Sequence, residues 1–327
     1  MQILLGWLSY AGFFLVFATV FAIITLGLNL QWGFTGLFNV GVAGFVAVGA
    51  YTSAILTTPK AADRLAGFGW PVAAGVAAAT LVTALVGLFV GLVALRLRRD
   101  YLAITTFGIA VTIQVVANNA TPLTGGPFGV QFIPKPLQAW LGIGLAWTLS
   151  YLALSLALLA LVYLALEKLV NSPWGRVLRA IREDEETASS VGKRVFLFRL
   201  QSFIIGSMLM GLGGALYAHF VGFIAPEDFL PILTFQLWAM LIVGGAGNNR
   251  GAIAGAFVVW GFWTASGAVL RGWIPPAQQA RAAALQVALI GALIATALVL
   301  RPRGLFGNLG RGFTVQTVSE EGNNARS

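Results

Sequence analysis

The chain has 327 residues, of which 58% are hydrophobic and only 9% charged, with a net charge of +9. A water-soluble domain carries about 25% charged residues, so this chain lacks the polar surface to cover a core in water. A nucleic-acid partner is argued against by where the basic residues sit. They occupy short segments between apolar runs, the arrangement that orients membrane proteins. The absence of cysteine excludes disulfides, thiolate chemistry and cysteine zinc sites.

No charge occurs between Met1 and Pro59. Without Lys or Arg at its start, the first apolar run reads as a retained span, not a cleaved leader. A membrane-crossing helix needs roughly 20 apolar residues. Suitable runs fall at 9–30, 34–57, 70–95, 101–118, 139–166, 201–220, 232–248, 251–270 and 282–300. The expected fold is all-α, a polytopic transmembrane bundle of nine or ten spans. The membrane domain covers 1–310, with a coupling loop at 171–199, and the polar tail 311–327 is expected to be disordered.

Within 26–51, glycines stand at 27, 33, 36, 41, 44 and 49. GxxxG pairs occur at Gly87/Gly91, Gly247/Gly251 and Gly251/Gly255. Small residues let helix backbones approach closely in lipid. Gly33 and Gly36 have a second reading: they break a helix and expose backbone to a polar path, as irregular backbone at membrane depth allows only where it is buried or lines a cavity. Asn29, Gln31 and Asn39 also keep two readings, interhelical hydrogen bonds or the lining of that path. His219 stands alone and lacks the companions a metal site needs, so it reads as a structural hydrogen-bonding group. The segment 118–130 combines Pro, Gly and Asn, and 223–231 carries Pro226 and Pro231; both are expected to turn tightly or lie against the surface.

No Asp or Glu falls within the expected spans, although charge-coupled carriers usually hold ionisable groups at membrane depth. No G-x-x-x-x-G-K-[ST] phosphate loop is present, and no catalytic constellation is visible. Any uphill transport therefore needs energy from another subunit. With nine spans, fifteen of the twenty basic residues fall on one side, in the loops around Arg96, Lys168–Arg199 and Arg250 and after Arg301. That side is expected to be cytoplasmic, with the N-terminus outside and the C-terminus inside.

The charge is concentrated in Arg179–Arg194, where four acids, Glu183 to Glu186, follow one another. Ser172-Pro173 reads as a helix start, with a capping hydroxyl and proline at the first helical position. Trp174, Val177, Leu178 and Ile181 then form an apolar stripe that wants a partner. Gly192 reads as a stop. One helix of four or five turns, or two short ones, is expected.

Here the sequence resembles the permeases of ABC importers. Glu186-Thr187-Ala188 through Gly192 is similar to their E-A-A-x-x-x-G core. "SPWGRVLRAIREDE", "MLIVGGAGNNRGAIAGAFV", "RLRRDYLAITTFGIA", "LTGGPFGV" and "LVLRPRGLFG" resemble the branch for branched-chain and neutral amino acids. The likeness runs from Leu26 to Gly307, and is nearest to the longer of two permease types that pair as a heterodimer. It implies a multi-pass protein of the bacterial inner (plasma) membrane, and a complex with a sister permease, two ABC ATPases and an extracytoplasmic binding protein. It implies that ATP and Mg are bound by those ATPases and no cofactor by this chain. It further implies that Arg179, Arg182, Glu183, Asp184, Glu186, Ala188 and Gly192 couple the chain to the ATPase. Gly125 and Gly126 join Asn29, Gln31, Gly33, Gly36 and Asn39 as candidates for the substrate path. Urea permeases share most of these motifs, so a urea-type permease is the alternative. A self-powered carrier or channel, and a membrane enzyme, remain as rival classes.

Overall fold

Apolar runs bounded by charge or by glycine and proline become the long helices. The computed structural model describes residues 2–60, 66–97, 99–142, 144–275, 278–301 and 304–306. The tail 311–327 and Arg64, Arg98, Arg303, Arg311 and Arg326 lie outside them. The described chain is an all-α bundle: α1 (Gln2–Leu28), α2 (Val42–Thr57), α3 (Val72–Ala94), α4 (Arg99–Asn119), α5 (Thr121–Thr124), α6 (Gln138–Leu141), α7 (Leu145–Val170), α8 (Pro173–Glu183), α9 (Glu185–Ser190), α10 (Val195–Val221), α11 (Pro231–Gly244), α12 (Asn249–Trp273) and α13 (Gln279–Leu300). Among the described residues seven helical stretches are long and apolar enough to cross a membrane, and the apolar helices α2 and α11 are shorter. Each of the nine apolar runs thus yields one apolar helix, giving a multi-pass membrane protein.

α10 is the central element, packed on α1, α2 and α3. Its glycines make this possible. A β-carbon on Gly49 would strike the backbone of Gly211, one on Gly214 the Val46 carbonyl, and one on Gly211 the Thr83 side chain of α3. Close approach through small residues takes the place of a hydrophobic driving force between helices in lipid.

Several boundaries differ from the sequence expectation, each for a local reason. The run 34–57 does not form one helix. α1 continues through a π-turn, Asn29–Phe34, the chain is non-helical from Gly36 to Gly41, and Gly36 takes φ +76°. α11 stops at Gly244, because Gly245 and Gly247 take φ of +109° and +86°. Gly247 therefore sits in a loop, not in a helical GxxxG pair with Gly251. α10 begins six residues before the expected span (201 − 195), because Arg199 is paired with Glu185 at 2.7 Å. α7 runs past residue 166 to Val170 and takes in Glu167, and α4 starts before residue 101 and takes in Asp100 in its first turn, so two acids do lie in long apolar helices. Glu167 is tolerated there because Asn249 and Asn171 donate to its carboxylate at 3.0 and 3.2 Å.

Candidate functional site

The coupling segment folds as two short helices, α8 and α9, broken at Asp184. The Asp184 carboxylate accepts from the backbone N–H groups of Glu186 and Thr187 at 2.9 and 3.0 Å, and from the Thr187 hydroxyl. These bonds, the Thr187 hydroxyl first, hold its pKa below the ordinary carboxylate value. Pro173 does occupy the first turn, but Ser172 does not cap it: its hydroxyl turns back to the Leu169 carbonyl at 2.6 Å. Gly192 ends α9 in the left-handed region, φ +79°, with open space around it.

The apolar stripe of α8 finds its partner within the chain. Leu178 joins the main core, while Ile181, Ala188 and Val195 form a small separate cluster beneath the segment. Trp174 donates to Gln201 at 2.7 Å. The coupling candidates consequently divide. Glu183, Asp184, Glu186 and Gly192 are exposed, Arg179 is half-buried, and Ala188 is buried in that cluster. Val191 is 69% exposed and is the large apolar side chain offered outward. Sequence periodicity missed it because it lies outside the stripe.

Arg182 turns inward. Its guanidinium donates to the carbonyl of Gly33 in the π-turn of α1. It lies between the left-handed glycines: a β-carbon on Gly36 would meet its Cγ at 3.4 Å, and one on Gly247 its Nη1 at 3.0 Å. Burial lowers its pKa from the ordinary arginine value, against the opposing pull of Glu183.

The π-turn is also gripped from above. Asn29, Gln31 and Asn39 are fully buried. The Asn29 amide donates to Asn249 Oδ1 at 3.0 Å and accepts from the Gly247 N–H at 2.8 Å. Gln31 donates to the Phe203 carbonyl at 2.9 Å and to Ser207 at 3.3 Å, and accepts from Asn39 at 2.8 Å. Asn39 accepts from the Gly41 N–H, and its carbonyl takes the Trp238 indole N–H at 3.0 Å. Five of the seven path candidates therefore lie together in and just after the π-turn, in a polar knot reaching Glu167 through Asn249.

Gly125 and Gly126 lie elsewhere, at the end of the bundle opposite α8. There the two punctuated segments meet as a short antiparallel bridge: Val130 N–H donates to Ile224 at 2.9 Å and Ile224 N–H to Val130 at 3.1 Å. Gly125 and Gly126 take φ of +77° and +60° to make the turn. His219 ties this end together, through Ser53 Oγ at 2.8 Å and the Pro134 carbonyl at 2.7 Å. Asp228 accepts from the Ala225 N–H at 2.8 Å, and its burial raises its pKa.

A multi-pass helical protein with an interrupted span, an uncharged polar knot and a surface helix pair tied to that interruption has the architecture of a membrane permease. The family model for the permease component of branched-chain amino acid transport systems matches residues 10–298. The chain is 33% identical over 261 residues to the high-affinity branched-chain amino acid transport system permease protein LivM of Escherichia coli K12, covering 73% of this chain and 60% of that protein. It is 29% identical over 263 residues to the probable branched-chain amino acid transport permease protein LivM of Methanocaldococcus jannaschii, covering 72% and 75%. It is 24% identical over 250 residues to the permease protein LivH of Escherichia coli K12, covering 74% and 80%. No solved structure matches. The chain belongs to the family of permease components of branched-chain amino acid transport systems.

Proposed function

We propose that this chain is one of two permease subunits of an ATP-driven importer for branched-chain or other neutral amino acids. The observation that carries the reading is the α8–α9 pair. Its outer face is charged and open, and its inner face is tied by Arg182 to the broken end of α1. A surface segment built this way can receive motion from a nucleotide-binding partner and pass it to a membrane span. In this reading α8 and α9 are cytoplasmic, Glu183, Asp184, Glu186, Val191 and Gly192 meet an ABC ATPase, and ATP and Mg are bound there. The sister permease completes the path, and an extracytoplasmic binding protein delivers the solute at the Gly125–Gly126 end. The membrane is the bacterial inner membrane. Asn29, Gln31, Gly33, Gly36 and Asn39 shape the interruption whose rearrangement opens the path.

The test is uptake by proteoliposomes holding this chain, the sister permease, both ATPases and the binding protein, with labelled leucine, alanine and urea. The expected outcome is ATP-dependent uptake of leucine or alanine. Uptake of urea alone would replace the substrate, and uptake by this chain without the ATPases would overturn the reading.

A further inference from the structure

The Gly125–Gly126 end of the bundle holds a carboxylate with no cation to meet it. Asp228 lies in the short helical turn Pro226–Phe229, between α10 and α11. It accepts from the Ala225 N–H at 2.8 Å, and the Tyr217 hydroxyl of α10 also meets its carboxylate. Glu227 beside it adds a second negative charge. Two basic groups packed into this end are engaged elsewhere. Lys135 stands over the Trp147 ring, 5.0 Å from its centroid, and the His219 ring is taken by Ser53 and the Pro134 carbonyl. Among the described residues the one ion pair is Arg199–Glu185. Next to this carboxylate is an orphan hydroxyl. Tyr51, on α2, is 6% exposed, and its hydroxyl has no hydrogen-bond partner among the described residues. Asp228 lies within electrostatic reach of it. The rings of Tyr51 and Tyr217 both pack on Phe229, with centroids 5.7 and 6.3 Å away. A buried hydroxyl normally finds a partner, and here none within the chain supplies it. A carboxylate without a counter-charge, two phenol oxygens and aromatic rings are what holds an ammonium group. The oxygens accept its N–H donors, and the ring faces attract its charge.

We propose that Asp228, Tyr51 and Tyr217 bind the α-ammonium group of the solute at the end where it is delivered. This rests on the transport reading above and narrows it: the cargo carries a free ammonium, which urea lacks. Asp228 supplies the opposite charge, and the Tyr51 hydroxyl, unpaired within the chain, accepts an N–H of the ammonium. The fully buried amides Asn29, Gln31 and Asn39 are already paired with the protein, so they hold the backbone while this cluster touches the solute.

Two variants separate this site from a structural cluster. Tyr51→Phe removes only the unpaired hydroxyl. Asp228→Asn keeps an oxygen for the Ala225 N–H and removes the charge. If Tyr51 serves the fold alone, Tyr51→Phe holds or raises the thermal midpoint, because an unsatisfied buried hydroxyl opposes folding, and leaves uptake as it was. The site predicts the same midpoint behaviour with uptake of leucine or alanine lowered about tenfold, the scale of a hydrogen bond to a charged group. Asp228→Asn is expected to lose at least as much, and ATPase association is retained in both. Unchanged uptake in either variant would overturn the proposal. Binding is read separately, on the full chain assembled with the sister permease and the ATPases but without the binding protein. The thermal midpoint is measured near neutral pH with leucinamide, which keeps the ammonium, and with N-acetylleucinamide, which does not. A ligand that binds the folded state raises the midpoint. Expected is a rise with leucinamide alone, abolished by Asp228→Asn. Equal shifts with both compounds, or none with either, would overturn the proposal. This measurement needs no transport, so absence of ATP-dependent uptake by the unaltered complex marks failure of the transport reading separately.

Discussion

A guanidinium withdrawn from water must be matched by acceptors, and a buried carbonyl by a donor. Arg182 and the Gly33 carbonyl meet both needs at once. Arg182→Ala leaves the carbonyl unpaired, a penalty of roughly 1–3 kcal/mol, while the exposed face of α8 and α9 is untouched. The expected outcome is a lower thermal midpoint and reduced uptake with ATPase association retained. Arg182→Lys keeps the charge but loses the planar fork, so intermediate uptake is expected. Normal uptake by Arg182→Ala would reduce the contact to packing. The inward aim of Arg182 was not legible in the sequence. A charge run reads as a solvated or docking face, and the partner carbonyl lies 149 positions away. Nothing local distinguishes Arg182 from Arg179, which sits one turn earlier on the same helix.

At the scale of elements, α11 and α12 pack through glycine. Gly251 lies against the Gly244 carbonyl, and a β-carbon on Gly255 would meet the Met240 carbonyl and the Gly244 backbone. Gly255→Leu has no side-chain end to displace, only backbone, so the helices must separate. The expected outcome is loss of the folded protein from the membrane fraction, with Ala265→Leu, on an exposed position of the same helix, accumulating normally. Equal accumulation of both variants would refute tight packing at this crossing. The presence and order of these helices were legible because lipid imposes one simple requirement, a long apolar run without unpaired charge. What could not be read were the places where tertiary partners satisfy polar groups. Arg199 enters α10 because Glu185 meets it, and Glu167 enters α7 because Asn249 does. The stripe of α8 asked for a partner, and the sequence could not say that α10 and the main core would supply it.

For the whole molecule, the proposed coupling requires an exposed segment at one end to act on the spans it packs against. Gly192 isolates that requirement. Its φ of +79° favours glycine, yet no atom lies within 4 Å of where a β-carbon would stand. Within this chain, then, a substitution there acts through the backbone, and any steric clash must come from a docked partner. Three variants separate the causes. Asparagine tolerates the left-handed region, valine does not, and aspartate adds charge beside the acidic run Glu183–Glu186, where like charges repel. If backbone geometry is what matters, Gly192→Asn keeps most of the ATPase association and uptake while Gly192→Val loses both, each at normal membrane abundance. Gly192→Asp is expected to weaken association beyond Gly192→Asn, and more so at low salt, since exposed charges are screened within about 10 Å at 0.1 M ionic strength. Abundance, ATPase co-purification and uptake are measured separately for each. Equal loss of association in Gly192→Asn and Gly192→Val would put the constraint in the partner's surface instead of in φ. Loss of membrane abundance in all three would make Gly192 a folding position and remove it from the coupling path.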